Sequence, residues 1–288
     1  MTRTTPPAVS VHPRKRPARR IPLTAVIGIG ILAVYVACAL FAPWLAPYGE
    51  HEVVSDIPFA PWSSEYPLGT DQLGRDFLSR LIYGARNSMG IAFLTTVVAF
   101  LLGGFVGIAA ATLRGWFDQA ICRFVDSVMS IPDLVFTLML LAIFGSSTWN
   151  LVLIIAALDS TRIFRISRAA ALNVSTLEYV EAASARGEGI YWKVRHEVLP
   201  NIMPILISEF GMRFCFVFLT IAALSFLGVG LQPPTAEWGS MVRDNAALIN
   251  SGDVTPLVPA AAIALLTIGV NFVADWLLGR MNGAATNV

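Results

Sequence analysis

The sequence predicts an all-α polytopic membrane protein with six transmembrane helices, and three observations predict it. Apolar residues fill 56% of the 288 positions and charged residues only 14%, a composition soluble domains rarely have. Six windows of the length a helix needs to cross a bilayer carry few charges: Ile21 to Trp44, Ser88 to Leu113, Phe124 to Phe144, Trp149 to Ser167, Ile202 to Leu227 and Thr255 to Leu278. None of them alternates polar with apolar residues, so a closed barrel, the only other spanning solution, is excluded.

Residues 1–20 form a basic tail with Arg3, Arg14, Lys15, Arg16, Arg19 and Arg20. Its prolines, Pro6, Pro7, Pro13 and Pro17, point to disorder, and its charge to a cytoplasmic topology signal that also touches anionic lipid. A net charge of only +1 argues against nucleic-acid binding. The first window, 21–44, is longer than a signal-peptide apolar region, and Pro43-Trp44-Leu45-Ala46-Pro47 offers no small-residue cleavage site, so it reads as a retained span. With six spans both termini lie inside. The inside segments then hold fifteen of the twenty basic residues: six in the tail, Arg114 and Arg123, six from Arg162 to Arg195, and Arg280.

Residues 45–87 read as an extracytoplasmic loop. Gly69 and Gly74 supply turns, and Thr70 or Asp71 is placed to cap the helical turn that follows. Phe77, Leu78, Leu81 and Ile82 then share one face, with Arg75, Ser79, Arg80 and Arg86 mostly elsewhere, which predicts an interfacial helix leading into the second span. Residues 88–278 form the core. Gly103, Gly104 and Gly107 in the second span predict close helix packing. Residues 279–288 are a second cytoplasmic tail.

Between the fourth and fifth windows lies a cytoplasmic loop, 168–200, whose residues 178–200 form a charged island. Ser175-x-x-Glu178 has the form of a capping box, and Gly187 stands where a helix begun near Thr176 needs a left-handed C-terminal residue. A second short helix is expected from Ile190 to about Val198, with Ile190, Val194 and Val198 on one face, before Pro200 opens the next span. Two short helices joined by a glycine and tethered to spans make a protruding docking element.

Charges inside spans are expensive and invite a functional reading. Glu209 and Arg213 lie four residues apart on one helical face, with the acid on the N-terminal side. Two readings stay open: a structural ion pair, or a lining of a translocation path together with Asp133. Asp126, Asp159 and Asp275 read as residues near cytoplasmic helix ends. No nucleophile and base are paired in the sequence, and Cys38, Cys122, Cys215 and the three histidines lack metal-ligand spacing. Neither lysine, Lys15 nor Lys193, ends a phosphate-binding G-x-x-x-x-G-K-[ST] pattern. The chain is therefore not expected to be an enzyme or to hold a cofactor; if ATP drives it, another chain hydrolyses the ATP.

Three strings carry a resemblance. Glu181-Ala182-Ala183, Gly187 four positions on, and Leu199-Pro200 closing the segment resemble the "EAA" loop of bacterial ABC-importer permeases, although Glu197 stands where an apolar residue is usual. Pro67-Leu-Gly-Thr-Asp71 with Leu73-Gly-Arg-Asp76, and Leu224 through Gly239, resemble the dipeptide, oligopeptide and nickel branch of that family, and within it the second, "C"-type permease. One departure is Ile221, where relatives tend to carry Glu. The resemblance implies a type I ABC importer permease fold with cytoplasmic coupling helices. It also implies an ATPase-coupling loop that includes Glu178, Glu181, Ala182, Ala183, Gly187, Leu199 and Pro200.

The partners it implies are a second permease subunit, two ATP-binding subunits that hold ATP and Mg, and an extracytoplasmic substrate-binding protein, with short peptides as substrate. Nickel, glutathione or another small solute is the alternative within the branch. An ion-driven secondary transporter using Glu209, Arg213 and Asp133 is the alternative outside it, although that class often shows inverted repeats and none is visible here.

Overall fold

The computed structural model describes residues 21–285, so both the basic tail of residues 1–20 and residues 286–288 lie outside the described residues. Among the described residues the chain is helical, with β pairing confined to two isolated bridges, Val53 with Arg75 and Thr70 with Asp76. Helix α1 is Leu23–Leu40, and the single turn α2, Ala42–Leu45, follows with Pro43 in its first turn, where a missing N–H costs nothing. After an irregular loop comes α3, Phe77–Leu113. Its N-cap is Asp76, whose carboxylate accepts from the Ser79 N–H at 2.7 Å; of the two caps expected for the turn before it, Asp71 serves, its Oδ1 accepting from the N–H groups of Leu73 (2.8 Å) and Arg75 (3.0 Å).

No break separates an interfacial helix from a span. With only Gly84 to weaken it between Phe77 and Asn87, α3 runs on for 37 residues, about 55 Å at 1.5 Å per residue. Arg80 also departs from the amphipathic expectation: it is 4% exposed, because Asp71 from the preceding loop folds over it and pairs with both Arg80 (3.2 Å) and Arg75 (2.7 Å).

The third window, Phe124 to Phe144, reads as one continuous span but is divided between the last turns of α4, Gly115–Met129, and the whole of α5, Asp133–Phe144. They are bent by 89°. The cause is local, since Pro132 has no N–H to donate and disfavours helical backbone at Ile131. Helix α6, Thr148–Ser175, is capped by the Ser147 hydroxyl. Helices α7, Glu178–Ala185, and α8, Ile190–Lys193, lead through a π-helical stretch, Val194–Val198, into α9, Leu199–Phe226. Helix α10, Trp238–Asn245, and α11, Leu257–Ala285, complete the chain, so helix continues past Leu278 into what reads from sequence as a tail.

Four helical segments, α1, α3, Ile190–Phe226 and Leu257–Met281, are long and apolar enough to cross a membrane, and the bent α4–α5 pair makes a fifth if it counts as one span. The sequence count of six includes α6. It is long enough at 28 residues, but Asp159, Arg162, Arg165 and Arg168 set it apart from the other spans.

Helices α3 and α6 form the most extensive interface of the bundle. Gly103 and Gly107 make it possible: a Cβ on Gly103 would lie 2.2 Å from the Ser160 carbonyl oxygen, and one on Gly107 would lie 2.7 Å from that of Phe164. Gly104 is buried but has room for a Cβ, whose nearest neighbour would be the Ser167 hydroxyl at 3.9 Å, so two of the three glycines carry the closest packing. A larger core joins α1, α3, α5, α6, α9, α10 and α11 around Phe77, Leu151, Phe218, Trp238 and Leu266.

Candidate functional site

The two ends of the bundle differ in chemistry. At one end the loop 46–76 meets the segment 227–256. Glu50 accepts from the Asn87 amide (2.8 Å) and the Ala236 N–H (2.6 Å), Trp62 donates to the Thr255 hydroxyl (2.9 Å), and Trp238 donates through Nε1 to the Leu81 carbonyl (2.9 Å). Glu237 caps α10 by accepting from the Ser240 N–H at 2.8 Å, and burial pushes its carboxyl up. Gly239 lets this cap sit against α9, since a Cβ there would lie 2.3 Å from the Ala222 carbonyl oxygen. These contacts tie the two segments together across this end of the bundle.

The other end carries the predicted docking element. Helix α7 begins at Glu178, not at Thr176, and no capping box forms: Leu177 is the N-cap, while the Ser175 hydroxyl, still inside α6, donates to the Ala171 carbonyl. Glu178 and Glu181 stand in the first turn, where the helix dipole favours acids, and both are exposed. Ala182 is exposed beside them, whereas Ala183 and Val180 are buried and hold the helix down.

The stop is at Gly187, with φ +83°. Its N–H donates to the Ser184 carbonyl (3.0 Å) and the Glu188 N–H to that of Ala183 (3.1 Å), the paired bonds of a Schellman motif. No separate second helix follows. The segment 190–198 is continuous with α9, because the π-helical stretch carries the backbone through to Leu199 and Pro200, and the Leu199 N–H reaches the Val194 carbonyl. Val194 and Val198 pack with Ile108, Ala171, Leu199 and Ile202, while Ile190, expected on the same face, is 49% exposed. Lys193 donates to the Ser184 hydroxyl at 3.1 Å and ties α8 to α7. Leu177, Tyr179, Ile190 and Tyr191 are exposed around the acidic turn, so the element presents a mixed apolar and acidic surface.

Within the bundle, Glu209 and Arg213 are paired (Nε to Oε1, 2.6 Å), and the pair belongs to a longer chain of charges. Arg213 Nη1 lies 3.5 Å from Asp159 Oδ1, Arg162 Nη1 lies 3.8 Å from the same oxygen, and Arg162 also pairs with Asp133. The network links α9, α6 and α5. Glu209 and Asp159 are 7% and 6% exposed, whereas about two fifths of the Asp133 and Arg162 side chains is open.

Sequence reading singled out Glu209, Arg213 and Asp133 and set Asp159 apart near a helix end; it missed Arg162, which bridges the two groups. It also missed the partners of Asp126 and Asp118, which are Arg165 and Arg168 (2.6 Å from Asp118 Oδ2). A signal was present. Arg162, Arg165 and Arg168 recur every three residues on a helix that must pack among apolar neighbours, and such a row needs acids opposite it.

Comparisons with known proteins agree with this architecture. The chain is 35% identical over 269 residues to "Di/tripeptide transport system permease protein DppC" of Pseudomonas aeruginosa (strain UCBPP-PA14), covering 91% of this chain and 89% of the relative. It is 36% identical over 259 residues to "Dipeptide transport system permease protein DppC" of Escherichia coli (strain K12), covering 88% and 86%. A solved structure described as "Crystal structure of an amino acid ABC transporter with histidines" shares the fold with a TM-score of 0.52 at 18% identity, over 72% of this chain and 95% of that one. Residues 24–61 match the family "N-terminal TM domain of oligopeptide transport permease C". Residues 103–284 match "Binding-protein-dependent transport system inner membrane component", and the chain, a multi-pass membrane protein, belongs to that family of ABC-importer permeases.

Proposed function

We propose that this chain is one permease subunit of an ATP-driven importer of dipeptides and short oligopeptides, working with a second permease, two ATP-binding subunits and an extracytoplasmic substrate-binding protein. The observation that carries the reading is the α7 element, with its exposed acidic turn, Schellman stop and direct continuation into a membrane-length helix. The substrate class follows the two dipeptide-permease relatives, each aligned over about nine tenths of this chain.

In this reading α7 and the start of α8 lie in the cytoplasm with both termini, as the Lys and Arg distribution requires, and dock on an ATPase that binds ATP and Mg. ATP-driven approach of the two ATPases moves α7. Lys193 and the packed Val198 pass that displacement to the rod from Ile190 to Phe226. Arg213 lies 23 residues along this rod, about 35 Å from its start, and there it meets Asp159 and, through it, Arg162 and Asp133. A shift of α9 therefore changes the pairing of charges that link α9, α6 and α5. Glu209, Arg213 and Asp133 line the path in this scheme.

The test is uptake of a labelled dipeptide in cells whose ATP is depleted while ion gradients are kept. Uptake is expected to stop. Uptake that continues at its former rate would sink the ATP-driven reading and favour ion coupling through the charged network.

A further inference from the structure

The five-residue network is short by one positive charge. Glu209, Asp159 and Asp133 bring three negative charges and Arg213 and Arg162 bring two positive ones. The shortfall is localised at Asp159. Its Oδ1 has two cationic neighbours at 3.5 and 3.8 Å, both beyond a good charge-assisted hydrogen bond, and its Oδ2 is buried with no hydrogen-bond partner. A buried carboxylate oxygen left in this state is costly.

A resident metal ion does not fit, since among the described residues no group of three or more His, Cys, Asp and Glu could hold one. An ammonium group fits better: it is a monovalent cation with three donors on one atom, and it brings its own hydrogen bonds. Arg162 and Asp133 are the open members of the network, about two fifths exposed, while Asp159 and Glu209 are buried.

We propose that Asp159 Oδ2 receives the α-ammonium group of a peptide during translocation, so that the network recognises substrates with a free amino terminus. This deepens, and rests on, the peptide-import reading above. Arg162 holds the site in its unoccupied arrangement through Asp133, and the arriving ammonium takes up the oxygen that the two arginines leave unpaired.

The test uses the assembled complex of permeases and ATPases, purified without its binding protein, and reads thermal unfolding with Ala-Ala or N-acetyl-Ala-Ala in millimolar excess. Ala-Ala is expected to raise the wild-type midpoint by about 2 °C or more, and the acetylated peptide to leave it unmoved. Asp159→Asn should abolish the shift and Asp159→Glu should keep part of it, with ligand-free melts reporting whether each variant is folded. Should a variant fail to assemble, the wild-type comparison of the two peptides decides alone. Equal shifts from both peptides, no shift from either, a full shift in folded Asp159→Asn, or the same shift from ammonium chloride would each overturn the proposal. Dipeptide uptake by cells carrying the wild-type chain is measured in parallel, so that loss of this site alone is distinguished from failure of the peptide-import reading.

Discussion

Replacing Gly187 with valine is expected to cut peptide uptake by about tenfold or more at normal membrane levels, while the assembled ATPases continue to hydrolyse ATP. The effect is conformational and not steric. Gly187 has φ +83°, and a Cβ added there would meet nothing within 4 Å. The substitution therefore clashes with no neighbour, but a β-branched residue in left-handed backbone costs roughly 1–3 kcal/mol. The chain relieves that strain by giving up the two hydrogen bonds that end α7, and the joint between α7 and α8 loses its fixed angle. A joint without a fixed angle cannot pass a displacement to α9. Gly187→Asn is the control, since asparagine tolerates left-handed backbone far better than other side chains, and it should retain most of the uptake. Normal uptake in the valine variant would show that the angle at Gly187 does not matter for coupling.

The second large effect is expected where α3 crosses α6. Gly103→Ala places a methyl group 2.2 Å from the Ser160 carbonyl oxygen and 3.0 Å from the Phe164 nitrogen. Neither atom is the end of a flexible side chain, so the helices must part along the most extensive interface in the bundle, at about 3 kcal/mol or more. Membrane levels should fall sharply and the purified complex should melt earlier. Gly104→Ala, one residue away, meets nothing closer than 3.9 Å and replaces glycine with the best helix former, so it should be neutral or slightly stabilising. Equal behaviour of the two variants would mean that α3 and α6 do not approach as closely as described.

The same three glycines show how far the sequence could be read. Their spacing announced close packing, but only the structure separates Gly103 and Gly107, which touch backbone, from Gly104, which does not. Hydropathy located the apolar segments, yet an average over Phe124 to Phe144 passes over Pro132, the residue that bends the pair by 89°. The motif at Ser175 misled for a related reason: the pattern of a capping box is local, and Ser175 is still inside α6, bonded to Ala171.

Gly187 was legible because left-handed backbone leaves so few alternatives. Glu209 and Arg213 were legible because i and i+4 share a face. Arg162 and the burial of Arg80 were not, because both depend on an acid outside their own helix, Asp133 in one case and Asp71 in the other. Sequence periodicity describes one helix at a time, and the charged network is a property of three.

The most direct test of the central claim, that this chain is one subunit of an ATP-driven importer, is gentle purification of the tagged chain from native membranes with identification of its partners by mass spectrometry. A second permease of similar fold should be recovered together with one or two ATP-binding subunits. Reproducible recovery of the chain alone in mild detergent would contradict the claim.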